Sequence, residues 1–167
     1  FFLLMYAQVC STKESLTLDG SVKKVAPKVF KHLQQGFPLL TWSKRFRSPN
    51  HQAGCEPDGG VFYYKDEVIL AVEGKHQQNA GNAIERWYKN NFILRSASPN
   101  MTYVTFATGQ GAEEDAVIGK TLSPAHPDGF NTYVVGGNVC YLEPNGFDED
   151  DIYDIIKEAI TDQILLR

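Results

Sequence analysis

The stretch "VFYYKDEVILAVEGK", residues 61–75, decides the fold of this chain. Two runs of aromatic, aliphatic and β-branched residues lie on either side of Lys65-Asp66, and this pattern predicts two strands joined by a tight turn. The second run ends in Glu73-Gly74-Lys75, which brings two charges that a buried strand should not tolerate. The predicted hairpin therefore has an apolar body and a charged end, and the charged end is the first place to look for a site.

The segments around this hairpin predict a mixed sheet flanked by helices. Residues 21–35 carry apolar residues at helical spacing, and Pro27 inside that pattern should kink the helix or delay its start. Residues 38–46 and 101–108 predict strands, residues 81–95 a helix, and residues 131–143 a final hairpin. Residues 147–166 predict a closing helix whose first turn is acidic, as the helix dipole favours. We expect an α/β fold, with a central mixed β-sheet flanked by helices, in a single domain over residues 1–167.

Composition narrows the class of protein. No apolar run reaches the roughly 18 residues that a membrane span needs, so we expect no membrane partner. The start "FFLLMYAQVCST" is apolar but short and lacks a basic segment, which favours missing upstream residues over the end of a signal peptide.

The three cysteines lie far apart without a C-x-x-C pair, which disfavours a disulfide framework or a structural zinc site and favours a cytoplasmic location. Cys55 stays open as a thiol nucleophile, although a buried bystander thiol is the commoner state.

The charge of the chain is unevenly distributed. The net charge of −4 argues against a nucleic-acid partner, but residues 20–55 hold seven Lys or Arg and no acid. A basic face can coexist with an acidic total, and a phosphate backbone responds to the local field. Lys44 and Arg45, in this basic segment, are candidates for contacts with a DNA backbone. The alternative is that the chain has two solvated faces of opposite sign.

The predicted hairpin register gathers three charged side chains. If Lys65 and Asp66 are the central residues of the turn, Asp58 lies opposite Glu73, and opposite residues in an antiparallel pair share a face. Glu73 and Lys75 also share a face, because strand side chains repeat every second residue. Two carboxylates this close repel each other unless a cation lies between them. The trio suits Mg²⁺-assisted phosphodiester hydrolysis, whereas the alternative is a common turn beside a salt-bridged strand.

The helix predicted to begin near residue 81 carries a polar stripe. The stripe consists of Asn82, Glu85, Arg86 and Lys89, at positions i, i+3, i+4 and i+7. The residues predicted to anchor the opposite side are Ile84, Trp87 and Tyr88. Asn pairs with adenine and Arg with base edges in the major groove, so a stripe placed after a phosphate-cleaving site would read the bases beside the cut. The alternative is an amphipathic helix with a solvated face.

The segments "EPDGG", "AVEGKHQ" and "NAGNAIERWYKN" closely resemble the EcoRI-type restriction endonucleases, members of the PD-(D/E)xK nuclease superfamily. The corresponding elements of that family read P-D-G-G, A-E-A-K-H-Q and A-A-G-N-A-I-E-R. Weaker similarity extends to both sides of this central part. The resemblance implies a restriction-endonuclease-like core. It also implies a Mg²⁺ held by Asp58, Glu73 and the main-chain carbonyl of Gly74, with Lys75 as the catalytic lysine.

The resemblance further implies a DNA interface and a dimer. The residues that it places at the DNA are Gln77, Ala80, Gly81, Asn82, Glu85 and Arg86. Of these, Asn82, Glu85 and Arg86 would contact the inner bases of a palindrome that contains AATT. A palindrome needs one copy of the reading element for each half-site, so a homodimer is expected on double-stranded DNA. A cognate DNA methyltransferase that protects host DNA is the other expected partner.

Two features depart from the family pattern. Only residues 76–80 separate Lys75 from the G-N element, whereas the family has a long insertion there. The segment "DAVIGKTLSPAH" offers only Lys120, whereas the family uses arginines in a later segment to read the outer G·C pairs. The outer bases therefore stay open. Two alternatives also stay open, a repair or recombination nuclease of the same superfamily and a DNA-binding protein of this fold without catalysis.

Overall fold

The computed structural model describes residues 17–48, 54–77, 83–110, 131–135, 138–143 and 145–167. Its helices and strands, in chain order, are α1 (Leu18–Gln34), β1 (Leu40–Ser43), β2 (Phe46–Arg47), β3 (Gly54–Cys55), β4 (Val61–Tyr64), β5 (Glu67–His76), α2 (Ala83–Ala97), β6 (Thr102–Thr108), β7 (Asn131–Val135), β8 (Asn138–Leu142) and α3 (Glu149–Leu165). The predicted elements are present, so the α/β class is confirmed. A single domain over residues 1–167 stays a prediction, because part of that range lies outside the described residues.

Two predicted boundaries were wrong. α1 begins at Leu18, where the Thr17 side chain accepts a hydrogen bond from the Gly20 N–H, so Pro27 does not delay the start of the helix. An N-terminal cap that satisfies a free backbone donor can set the start of a helix well before an internal proline. The strand predicted over residues 38–46 is divided into β1 and β2, which pair with different partners.

The strands form a six-stranded mixed sheet in the order β1-β4-β5-β6-β8-β7 and a separate pair, β2-β3. β1 is antiparallel to β4, β4 is antiparallel to β5, and β7 is antiparallel to β8. β5, β6 and β8 run parallel. Parallel neighbours need a crossover connection, and α2 supplies it between β5 and β6. The carboxyl ends of β5 and β6 therefore meet at the same edge of the sheet, just before α2 begins.

Helices cover both faces of the sheet. The α1/α3 face is the side on which α1 and α3 pack, and its core joins helix residues such as Val22 and Ile156 to Leu70 and Val72 of β5. The α2 face is the other side. Its smaller core contains Ile93 and Leu94 of α2 together with sheet residues and Phe46 and Cys55 of the β2-β3 pair. No helix of the described ranges is both long and apolar enough to cross a membrane.

The hairpin of β4 and β5 has the predicted turn but not the predicted register. Lys65 and Asp66 have φ angles of 52° and 64°, as the two central residues of a type I′ hairpin turn require. The first two pairs, Tyr64 with Glu67 and Tyr63 with Val68, are those that we predicted. The register then shifts, so Phe62 pairs with Leu70 and Val61 with Ala71. A β-bulge at Ile69 therefore displaces all later pairs by one residue.

This bulge determines on which face of the sheet the side chains at the end of β5 lie. Ile69, Leu70 and Val72 lie in the α1/α3 core, whereas Ala71 lies in the α2 core. Alternation resumes after the bulge, so Glu73 and Lys75 fall on the α2 face with Ala71. The regular register that we predicted would have put Glu73 opposite Asp58 and on the α1/α3 face. That prediction was wrong, because the bulge inserts one residue between the turn and the charged end.

Candidate active site

Asp58 is held by a tight turn that needs its two glycines. The Gly60 N–H donates to the Pro57 carbonyl at 2.9 Å and closes the turn, and the Gly59 N–H donates to the Val72 carbonyl at 2.9 Å. A Cβ atom on Gly59 would lie 2.7 Å from Cβ of Val72, and Gly60 has a φ of +75°, which favours glycine. The segment "PDGG" thus attaches the Asp58 backbone to the side of β5.

The Asp58 carboxylate turns toward the end of β5. Its Oδ2 accepts a hydrogen bond from the Gly74 N–H at 3.2 Å, and Oδ1 lies 3.7 Å from Nζ of Lys23 in α1. Asp58 is also hydrogen-bonded to the Glu73 side chain. The two carboxylates therefore meet as the sequence predicted. The turn brings them together, since Asp58 is not in the strand register opposite Glu73.

Glu73 is buried at the end of an apolar strand, with 6% of its surface exposed. Burial, followed by the charge of Asp58 and the hydrogen bond with it, raises the pKa of Glu73 to about 8. The hydrogen bond from Tyr103 and the charge of Lys75 act in the opposite direction. The pair therefore holds a proton near neutral pH unless a cation offsets the repulsion between the carboxylates.

Lys75 completes the trio that the sequence predicted. It is half-buried, and alternation along β5 puts it on the same face as Glu73. Its charge lowers the pKa of Glu73, so the ammonium lies within electrostatic reach of the carboxylate pair. Lys75 pairs with Ala107 near the carboxyl ends of the parallel strands β5 and β6. Crevices at this edge of α/β sheets are common places for ligands to bind.

The donor set fits a hard divalent cation. Asp58 and Glu73 offer carboxylate oxygens, and the main-chain carbonyl of Gly74 lies between Glu73 and Lys75 in the chain. Within the described ranges, no three His, Cys, Asp or Glu side chains form a group that could hold a metal ion. The two carboxylates and this carbonyl are the candidate donors. Mg²⁺ suits such a pair, because it keeps several waters and takes only one or two protein carboxylates.

Cys55 lies beside the pair but does not suit nucleophilic chemistry. Burial and the nearby charge of Glu73 raise the pKa of the Cys55 thiol to about 11. The thiolate is the reactive form, and the neutral thiol dominates near neutral pH. Of the two readings that the sequence left open for this residue, the structure favours a buried bystander.

The basic residues predicted to contact DNA differ in their surroundings. Lys44 is exposed and has no ion-pair partner among the residues described. Arg45 is also exposed, but its guanidinium forms an ion pair with Glu56 at 2.8 Å. The arginine lowers the pKa of Glu56, so this acid stays ionised beside it. Glu56 thus forms a direct ion pair with Arg45, whereas it interacts with Lys44 only through the longer-range attraction between their charges.

The predicted base-reading residues lie partly outside the described residues. Ala80, Gly81 and Asn82 are outside, and so are the side chains of the α2 residues Ile84, Glu85, Arg86, Trp87 and Tyr88. Lys89 is exposed on α2.

Gln77 follows β5 and is largely buried, and its main-chain N–H donates to the Thr108 carbonyl at 2.9 Å. Its Nε2 is a buried donor with no hydrogen-bond partner in the part of the chain that the structure describes.

Sequence reasoning missed the residues that surround Glu73. Tyr103 of β6 is fully buried and its hydroxyl donates to Oε2 of Glu73 at 3.1 Å. Asn90 of α2 is buried and hydrogen-bonded to the same hydroxyl. The sequence offered one signal, since a tyrosine in the middle of a buried strand needs a partner for its hydroxyl. It did not indicate which residue that partner would be.

A cavity of about 210 Å³ lies at the other end of the sheet. Residues from the starts of β6 and β8 and from α3 line it, among them Thr102, Val139 and Ala159. It is smaller than the usual 300–1,000 Å³ of small-molecule sites. Its walls belong to the α1/α3 face, away from Glu73 and Lys75, so we do not assign the site there.

No protein-family model, curated protein or solved structure matches this chain.

Proposed function

We propose that this protein is a type II restriction endonuclease, a Mg²⁺-dependent enzyme that cuts double-stranded DNA at a short palindrome containing AATT. The proposal includes the restriction-endonuclease-like core that the sequence resemblance implies. The observation that carries it is the contact between the Asp58 and Glu73 carboxylates at the end of β5, with Lys75 on the same face as Glu73. A mixed sheet with helices on both faces is consistent with that core.

The residues of the site have separate tasks in this proposal. Asp58, Glu73 and the carbonyl of Gly74 would hold the ion. Bound Mg²⁺ would supply charge neutralisation at the scissile phosphate and would acidify a water. Lys75 would orient the attacking water and stabilise negative charge on the phosphate, because an ammonium beside the carboxylate pair offers a positive charge close to the bound phosphate.

The DNA would be read on the side where β5 leads into α2. In the proposal, Asn82, Glu85 and Arg86 contact the inner bases, and Arg86 donates to a base edge in the major groove. Gln77 and Lys89 lie nearby in the chain, and Lys44 contributes backbone contacts. A homodimer supplies one reading helix for each half-site. The proposal also includes a cytoplasmic location and a cognate DNA methyltransferase, since a cell that holds such an enzyme has to protect its own DNA.

The deciding experiment is digestion of plasmid DNA with purified protein and Mg²⁺, followed by sequencing of the ends. Discrete fragments whose ends all map to one palindrome containing AATT are the expected result. A smear would indicate a repair or recombination nuclease of the same superfamily, and shifted but uncut DNA would indicate a binding protein. Either result would replace the restriction assignment.

The first variant to test is Asp58→Ala. Loss of a metal ligand should lower the cutting rate at least about a hundredfold, while binding of a cognate oligonucleotide in Ca²⁺ persists. Asp154→Ala, at an exposed position of α3, is the matched control and should cut at the wild-type rate. Full activity of Asp58→Ala would remove this residue from the metal site.

A further inference from the structure

A chain of buried hydrogen bonds links α2 to the candidate metal site. The Tyr103 hydroxyl donates to Oε2 of Glu73 at 3.1 Å. The Asn90 side chain is hydrogen-bonded to the same hydroxyl. Since the single hydrogen of this hydroxyl is given to Glu73, Asn90 can only donate, through its amide N–H, to the phenolic oxygen. The order of donation is therefore Asn90 to Tyr103 to Glu73. We call this set the Asn90–Tyr103 relay.

The relay lies inside an apolar core. Tyr103 is 0% and Asn90 7% exposed, and Ile93, Leu94 and Ala71 belong to the same core or its edge. A buried polar group costs free energy unless its hydrogen bonds are made, and an apolar side chain would fill the same space without that requirement. Fully satisfied buried networks hold their members in one arrangement. The relay thus restrains one carboxylate oxygen that the core alone would leave without a partner.

The two oxygen atoms of a metal-binding carboxylate have to keep a defined orientation. In Glu73 the restraints come from two sides, since Asp58 contacts the carboxylate from the turn and Tyr103 contacts it from β6. Groups that hydrogen-bond to a metal ligand fix its orientation, and their loss typically lowers metal affinity 10–100-fold.

We propose that Asn90 and Tyr103 are positioning residues that hold the Glu73 carboxylate ready for the cation. They also join that carboxylate to α2, the helix assigned to base reading. This inference rests on the proposed function for the identity of the ion. Asn90 lies four residues after Arg86 in the same helix, so a shift of α2 on DNA is transmitted to Glu73 through one side chain and one hydroxyl.

The experiment measures Mg²⁺ binding to the DNA-free protein by calorimetry and uses Tyr103→Phe as the first variant. This change removes the hydroxyl and keeps the ring, and we expect Mg²⁺ affinity to fall 10–100-fold. Binding of the cognate oligonucleotide in Ca²⁺ should stay within about twofold, since no DNA contact is removed. Tyr141→Phe is the matched control, because Tyr141 is buried in the α1/α3 core. It should leave Mg²⁺ affinity unchanged.

A double variant separates positioning from general damage to the core. Asn90→Leu should also lower Mg²⁺ affinity, and the Asn90→Leu/Tyr103→Phe protein should be no weaker than Tyr103→Phe, because Asn90 acts through the hydroxyl. Asn90→Ala provides the same comparison if the leucine variant fails to fold. If the two substitutions lower Mg²⁺ affinity by factors that multiply in the double variant, the relay is wrong. It is also wrong if Tyr103→Phe binds Mg²⁺ as tightly as the wild type does.

The two proposals can fail separately. A wild-type protein that binds Mg²⁺ but cuts no DNA would reject the nuclease assignment, and the affinity ratio of Tyr103→Phe to wild type would still decide the relay. A wild-type protein that cuts DNA, with Tyr103→Phe binding Mg²⁺ equally well, would reject the relay alone. A wild-type protein that neither binds Mg²⁺ nor cuts DNA would reject both.

Discussion

The two faces of the sheet differ in what they bury. The α1/α3 face has the larger core, in which aliphatic side chains such as Val29, Leu70 and Ile156 pack together. The α2 face has a smaller core that also encloses hydrogen-bonding groups, among them Glu73 and the Tyr103 hydroxyl. Burying polar groups lowers the net stability that a core provides. The difference indicates that the α1/α3 face stabilises the fold and that the α2 face holds the candidate site at some cost in stability.

The largest change in stability is expected from Ile156→Ala, which weakens the packing of the α1/α3 face. Ile156 is fully buried in α3, and deleting its side chain leaves a cavity in the larger core. The free energy of unfolding should fall by about 2–5 kcal/mol, measured by urea denaturation. Mg²⁺ affinity of the folded protein should not change. Leu165→Ala, in the same helix but 75% exposed, is the control and should change stability by less than about 0.5 kcal/mol.

An intermediate effect is expected from Glu73→Gln on the α2 face. The pKa of Glu73 is raised from 4.5 to about 8 in the fold, so the folded state holds the proton more tightly than the unfolded state. The wild type should lose stability as pH rises from 4.5 through 8, whereas the glutamine variant lacks this loss. At pH 8 and without metal, the variant should therefore be the more stable protein, by on the order of 1–3 kcal/mol.

Adding Mg²⁺ should reverse or reduce the difference in stability between the wild type and Glu73→Gln. The ion should raise the unfolding temperature of the wild type at pH 8 and should have little effect on Glu73→Gln, because the variant lacks one of the two carboxylates. At pH 4.5 the two proteins should be nearly equally stable. A glutamine variant that is less stable than the wild type at pH 8 would mean that Glu73 stabilises the fold, contrary to its role on the α2 face.

The smallest effect is expected at the surface, where Lys44 and Arg45 differ in their partners. Lys44→Ala should reduce the slope of log affinity against log salt by about one unit in DNA binding. Arg45→Ala should reduce it less, because Glu56 already compensates the guanidinium charge. Fluorescence anisotropy over a KCl series in Ca²⁺ measures both slopes. Equal slopes for the two variants would show that the ion pair opens on DNA.

Most elements of the fold could be predicted from the sequence, but the register could not. The turn at Lys65-Asp66 and the strands around it follow from local composition. Residues 68–72 are all apolar and buried, so no polar side chain marks which of them faces which side. A strand buried on both faces carries little register information, and packing of the two cores decides where the bulge falls.

The candidate site was predictable as a set of residues but not as a geometry. The residues that the sequence pointed to, Asp58, Glu73 and Lys75, are brought together at one end of the sheet. The relay was not predictable, because it joins α2, β6 and β5 through side chains that are far apart in the sequence. The ion pair of Arg45 with Glu56 was missed for a similar reason, since it joins the residue before β2 to the residue after β3.

Because of the bulge at Ile69, the side of the sheet on which Glu73 lies depends on the length of β5 as much as on its composition. Exchanges among Val, Ile and Leu between residues 68 and 72 would keep the strand apolar and leave Glu73 where it is. Deletion or insertion of a single residue there would carry Glu73 and Lys75 to the opposite side of the sheet. Selection on this segment should therefore act against changes in length far more strongly than against changes of one aliphatic residue for another.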